Sequence, residues 1–84
     1  MFHVYVLRSE STGRRYTGAC EDLDRRLREH NSGQTKSTRH RGPWRLIHFE
    51  QFESWAEACR RERFFKTGRG RDELERLLRV AQRR

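Results

Sequence analysis

The run Phe2-His3-Val4-Tyr5-Val6-Leu7 constrains this chain more than any other stretch. In extended backbone, successive side chains point to opposite faces. Phe2, Val4 and Val6 therefore share one face, and His3, Tyr5 and Leu7 the other. A second β-rich run, Tyr16-Thr17-Gly18-Ala19-Cys20, follows a polar stretch centred on Ser11-Thr12-Gly13. Two such runs around a Ser-Thr-Gly turn predict a β-hairpin with strands over residues 2–8 and 14–20. One face of it is greasy and the other carries Tyr5. Tyr16, Gly18 and Cys20 share a face of the second strand, so the two tyrosines can meet across the hairpin. Ordinary sheet packing also produces cross-strand tyrosine pairs, so the pair by itself does not imply chemistry.

A chain of 84 residues predicts a single domain, residues 1–84, with a small core. Only 16 of those residues are Leu, Ile, Val or Phe, which with a net charge of +8 approaches the composition of disordered chains. Periodic segments and aromatic content argue for a fold. The excess of Lys and Arg, 20 against 12 acidic residues, is almost entirely arginine. Its planar fork matches phosphate geometry, and nucleic acid is the first partner such a surface implies. An acidic protein or a membrane surface is the alternative. Cys20 and Cys59 show no CxxC or Cys/His spacing, so zinc is not expected. Both read as small buried hydrophobes in a reducing, cytoplasmic setting. No apolar run approaches ~20 residues, so no membrane span is expected. The first residues enter a strand pattern directly, which predicts no signal or transit peptide.

Beyond the hairpin, residues 21–31 carry acidic residues at their front, as a helix N-terminus favours. Leu23 and Leu27 are its i, i+4 apolar anchors, with Arg26 and His30 on a neighbouring face. Ser32-Gly33 ends it. Residues 32–43 read as a polar loop without an apolar anchor. Its basic set is Lys36, Arg39, His40 and Arg41, suited either to phosphate contact or to a solvated linker. Trp44 to Glu50 predicts a third strand. Ser54 with Glu57 forms a capping box opening a helix to about Lys66. Trp55, Ala58, Cys59 and Phe65 mark its apolar stripe, and Glu62 falls inside that stripe. A carboxylate there needs a partner: an arginine, Lys66, a tyrosine hydroxyl or a bound cation. Thr67 to Gly70 reads as the end of that helix, and Asp72 to about Ala81 as a last one, with Gln82-Arg83-Arg84 fraying. The fold class is α+β, a small three-stranded antiparallel sheet flanked by helices in the order β-β-α-β-α-α. The first strand is expected between the other two.

Tyr5, Tyr16-Thr17-Gly18, Asp22-Leu23, Arg26, His30-Asn31 and Arg61-Glu62, taken in order over almost the whole chain, resemble the GIY-YIG nuclease family. The likeness is greatest to its small stand-alone, single-domain members. The resemblance implies cleavage of phosphodiesters with one divalent cation, Mg2+ or Mn2+. It assigns Tyr5, Tyr16, Arg26, His30 and Glu62 to the catalytic site, with Glu62 holding the metal. His3 stands where the first motif opens with glycine, Thr17 where the second carries isoleucine, and the late asparagine of some members has no match.

These residues suit the chemistry. A single glutamate fits magnesium, which keeps most of its waters. Arg26 can meet the scissile phosphate, and a tyrosine can orient or deprotonate the attacking water if nearby cations lower its pKa from ~10. The resemblance thus implies a structure-directed or weakly specific DNA endonuclease, on branched or single-stranded DNA among other substrates, in DNA repair or recombination. The alternative is a non-catalytic nucleic-acid-binding module retaining the nuclease fold. A third reading is a nuclease that needs a partner protein, or a second copy as a homodimer, for specificity.

Overall fold

The computed structural model describes residues 1–82. Strand β1 (Phe2–Ser9) lies between β2 (Arg15–Cys20) and β3 (Trp44–Phe52), antiparallel to both, giving the order β2-β1-β3. With neighbours on both edges and helices over both faces, the middle of β1 has no exposed side. Val4, Tyr5, Val6 and Leu7 are all essentially buried. The turn before β2 closes through Ser9, whose backbone N–H donates to the Arg14 carbonyl at 2.8 Å and whose hydroxyl accepts from the Thr12 N–H. Gly13 takes the left-handed φ of 77° that this turn requires. β3 extends to Phe52 rather than stopping at Glu50, because Gln51 and Phe52 pair with His3 and Phe2. Opposite Val6 and Leu7, the register jumps from His48 to Leu46, leaving Ile47 as a bulge.

Helix α1 (Leu23–Asn31) starts at Asp22, whose carboxylate accepts from the Arg25 N–H at 3.0 Å. It ends as expected at Ser32, with Gly33 at φ 81°. Helix α2 (Trp55–Phe65) opens on the predicted capping box, the Glu57 N–H donating to the Ser54 hydroxyl at 3.1 Å. Helix α3 (Gly68–Gln82) begins four residues before the predicted Asp72. Thr67 is the reason. Its hydroxyl accepts from the Gly70 N–H and its carbonyl from the Arg71 N–H, so it caps a helix where the glycines read as a terminator. Gln82 of the expected fraying tail belongs to α3, and Arg83 and Arg84 lie outside the described residues.

The two faces of β1 organise the interior as its alternation predicts. Val4 and Val6 pack with Ala58 of α2, Phe65 of α2 and Leu74 of α3. Tyr5 and Leu7 pack with Cys20 and Trp44, bordered by Leu23 and Leu27 of α1. The expected α2 stripe is only half right. Ala58 and Phe65 are buried and Cys59 is half-buried, but Trp55 is 48% exposed. Trp55 opens the helix at the end of the sheet, where Phe2 is the aromatic ring beside it. Among the described residues, no helix is long and apolar enough to cross a membrane.

Candidate active site

Tyr5 is the buried centre of the second face, 1% exposed. Its register partner on β2 is Gly18. A Cβ at Gly18 would fall 2.5 Å from the Tyr5 hydroxyl oxygen and 2.6 Å from Cζ. The Tyr-x-Gly spacing therefore has a direct meaning: glycine leaves the space into which the Tyr5 phenol lies. Tyr16, two residues earlier on the same face, places its ring centroid 6.3 Å from that of Tyr5.

α1 supplies the polar partners. Arg26 and His30 are one turn apart on the side facing the sheet. Arg26 Nε donates to the Tyr5 hydroxyl at 3.3 Å, and Arg26 Nη1 donates to Glu29 at 3.0 Å. His30 Nε2 lies 2.9 Å from the Tyr5 hydroxyl. The most buried position of α1 is therefore His30, while its two leucines are half-buried. The electrostatics follow from burial. The Tyr5 phenol is pushed up to about 12 by desolvation, against the lowering effect of the Arg26 hydrogen bond. The lowered tyrosine pKa that cations were expected to provide does not occur at Tyr5. Burial, then the positive charge of Arg26, holds His30 below its ordinary value, so the imidazole is neutral at pH 7. Arg26 is held protonated by its hydrogen bonds to Tyr5 and Glu29.

Tyr16 is half-buried and lines one cleft, while its neighbour His30 lines another. The Tyr16 ring centroid is 4.9 Å from that of His30, which lines a cleft of about 550 Å³ with Asn31, Gly33, Arg39, His40 and Pro43. Tyr16 itself lines a cleft of about 340 Å³ with Arg15, Thr17, Phe65, Lys66 and Arg71. The predicted basic set Lys36, Arg39, His40 and Arg41 is exposed on the loop between α1 and β3. That loop lacks an apolar anchor, as expected, but polar anchors hold it. Asn31 Nδ2 donates to the Trp44 carbonyl at 3.0 Å, and its Oδ1 accepts from the Trp44 N–H at 2.6 Å. Thr38, 1% exposed, reaches His30 Nδ1 at 2.7 Å and accepts through its carbonyl from Trp44 Nε1 at 3.0 Å.

Glu62 stands apart from this cluster. Its side chain is 23% exposed and its carboxylate accepts from Lys66 Nζ at 2.9 Å. Of the partners open to it, the lysine one turn on is the one present. Lys66 also lines the cleft beside Tyr16, which brings the Glu62–Lys66 pair toward the tyrosines. Among the described residues, no group of three or more His, Cys, Asp or Glu side chains could hold a metal ion. A cation at Glu62 would need most of its ligands from water, which fits magnesium, and would displace an exposed lysine rather than a buried partner.

Two participants were not legible in the sequence. Thr38 is one of several small polar residues in its loop, and nothing local distinguishes it. Glu50, opposite Val4 on β3, is the carboxylate that faces the α2 side of the sheet. It accepts from Arg61 Nε at 2.8 Å and bonds His48 at 3.0 Å. Burial alone would raise it, but the hydrogen bonds from Arg61 and His48 outweigh burial and hold it below the usual carboxylate value. Arg61 in turn lies over the Phe65 ring at 4.3 Å. This pair ties β3 to α2. The Arg61-Glu62 dipeptide thus splits its work, the arginine inward to Glu50 and the glutamate outward to Lys66.

The family model of the GIY-YIG catalytic domain matches residues 1–75. A UPF0213 protein of Halobacterium salinarum is 51% identical over 63 residues, covering 74% of this chain and 80% of its own length. One from Clostridium perfringens is 42% identical over 67 residues, covering 79% and 71% respectively. The solution NMR structure of the UPF0213 protein from Bacillus halodurans superposes with a TM-score of 0.56 at 41% identity. The match covers 92% of this chain and 85% of that one.

Proposed function

Since the chain belongs to the GIY-YIG nuclease family, we propose that it is a structure-directed or weakly specific DNA endonuclease that uses one divalent cation. The observation that carries this reading is the convergence of Tyr5, Tyr16, Arg26 and His30, from two strands and one helix, on one face of the sheet. Hydrolysis joins a water oxygen to phosphorus and breaks the bond to the leaving oxygen. Arg26, always charged and anchored by Tyr5 and Glu29, meets the phosphate and offsets the charge that develops on it. Tyr16, which lines the cleft with Arg15, Lys66 and Arg71, orients the attacking water. Tyr5 and the neutral His30 receive its proton. Glu62 would hold the cation, which when bound adds positive charge beside the phosphate and the leaving oxygen. Arg39 and His40 of the basic loop line the cleft with His30, and Arg15, Lys66 and Arg71 the cleft with Tyr16, where flanking phosphates would run.

The test is a cleavage assay on labelled single-stranded, duplex, nicked and branched DNA, with and without magnesium, in wild type and Glu62→Ala. Cutting that needs both magnesium and Glu62 is expected. Binding to every substrate without cutting would move the assignment to a non-catalytic nucleic-acid-binding module. Arg26→Ala is expected to lower cleavage by about 10²–10³-fold while leaving DNA affinity nearly intact. Turnover retained in that variant would remove Arg26 from its assigned role.

A further inference from the structure

We propose that Thr38 is a positioning residue that locks His30 in the Nδ1–H tautomer, leaving Nε2 free to accept the Tyr5 proton. This deepens the nuclease reading and rests on it for its catalytic use. The assignment comes from counting donors and acceptors. The Tyr5 oxygen already receives the Arg26 Nε–H. The phenol is buried, so its own proton needs an acceptor, and the one within reach is His30 Nε2 at 2.9 Å. Nε2 must then be unprotonated, and Nδ1 of the neutral ring carries the hydrogen. That N–H donates to the Thr38 hydroxyl at 2.7 Å, and the Thr38 hydroxyl directs its own proton to the Thr35 carbonyl 3.5 Å away. The opposite tautomer would aim two N–H groups at the Tyr5 oxygen and leave the phenol proton without a partner.

The lock gives a buried tyrosine a way to act as a base. A free phenolate is out of reach at neutral pH for a phenol raised to about 12. A relay avoids it: the water proton passes to the Tyr5 oxygen while the Tyr5 proton passes to His30 Nε2. The water O–H bond and the original Tyr5 O–H bond break, a new Tyr5 O–H bond and a His30 Nε2–H bond form, the water oxygen bonds to phosphorus, and the positive charge ends on the imidazolium. The direction of the relay depends on Nε2 being bare. An unconstrained histidine favours the Nε2–H form, so an acceptor on Nδ1 is required, and Thr38 supplies it. Thr38 is itself held from behind, its carbonyl accepting the Trp44 indole N–H.

The test combines imidazole 15N shifts with cleavage kinetics in wild type, Thr38→Val and Thr38→Ser. The wild-type His30 is expected to show a protonated Nδ1 and a bare Nε2, and Thr38→Val a measurable shift toward the Nε2–H form. In cleavage, Thr38→Val should lower kcat by about tenfold or more with KM little changed, and Thr38→Ser should restore most of it. A wild-type His30 protonated on Nε2 overturns the proposal without any variant, even if Thr38→Val does not fold. An unchanged tautomer in Thr38→Val, or a shifted tautomer with wild-type kcat, also overturns it. A wild-type chain that cuts nothing overturns the nuclease reading, and the catalytic use of the lock with it. A wild-type chain that cuts no faster than Thr38→Val overturns the lock alone.

Discussion

Gly70→Ala is expected to lower the melting temperature by roughly 15 °C, through a loss of about 3 kcal/mol. Helix propensity points the other way, since alanine in a helix is favoured over glycine by about 1 kcal/mol. Contact decides the sign. A Cβ at Gly70 would lie 1.7 Å from the Phe64 carbonyl oxygen, 2.4 Å from its carbon and 2.7 Å from the Phe65 Cα. All three are backbone atoms of the last turn of α2, so no rotamer change relieves them. Phe64 O is also held by the Thr67 N–H at 3.0 Å and the Thr67 hydroxyl at 2.7 Å. The added methyl must therefore separate α3 from α2, and Leu74 from Phe65. A domain of this size has about 4–12 kcal/mol in total, so much of its stability would go. Gly68→Ala is the control. A Cβ there meets nothing within 4 Å, and its melting temperature should be unchanged or slightly raised. An equally stable Gly70→Ala would show that the two helices are free to move apart.

Gly18→Ala should abolish cleavage, with a loss of at least about 10²-fold, and cost about 1–3 kcal/mol of stability. The new Cβ would overlap the Tyr5 hydroxyl and Cζ. The phenol cannot simply swing away, because Tyr16 and His30 flank it and its hydroxyl is bonded to His30 and Arg26. Moving it breaks both bonds at once in a buried place, where unmade bonds are expensive. Arg26 then loses one of its two anchors. Cleavage and thermal melting measured on the same preparation check this. Wild-type turnover at wild-type stability would mean that the Tyr5 ring does not lie against Gly18 in solution.

Much of the fold was legible because its signals are local. The alternation from Phe2 to Leu7 assigned a strand and its two faces. Ser54 with Glu57 marked a helix start through side chains that cap backbone within one turn, and the acidic residues at the front of 21–31 marked another through the helix dipole. The sharing of a face by Tyr5 and Tyr16 followed from hairpin register alone. The four-residue error at the start of α3 arose because Gly68 and Gly70 carry no local sign of why they are glycine. Gly70 is there for Phe64, a contact between helices, and Thr67 caps a helix that propensity does not favour. The Trp55 error arose at the end of the sheet, since periodicity says which residues share a face but not how far the opposing surface reaches.

The site divides in the same way. Arg26 and His30, one turn apart, and the tyrosines across the hairpin were determined by the sequence, because helical and strand periodicity set those neighbours. Tertiary structure alone decided which of two basic residues Glu62 and Glu50 would take, and that the loop's buried residue would be Thr38. It also decided that Tyr5 would be the enclosed phenol and Tyr16 the open one. Each of these depends on desolvation and on contacts between segments distant in sequence: Tyr5 with His30, Glu50 with Arg61, Thr38 with a helix already ended. Burial raises the Tyr5 phenol and lowers the His30 imidazole, and burial belongs to the assembled chain rather than to any stretch of it.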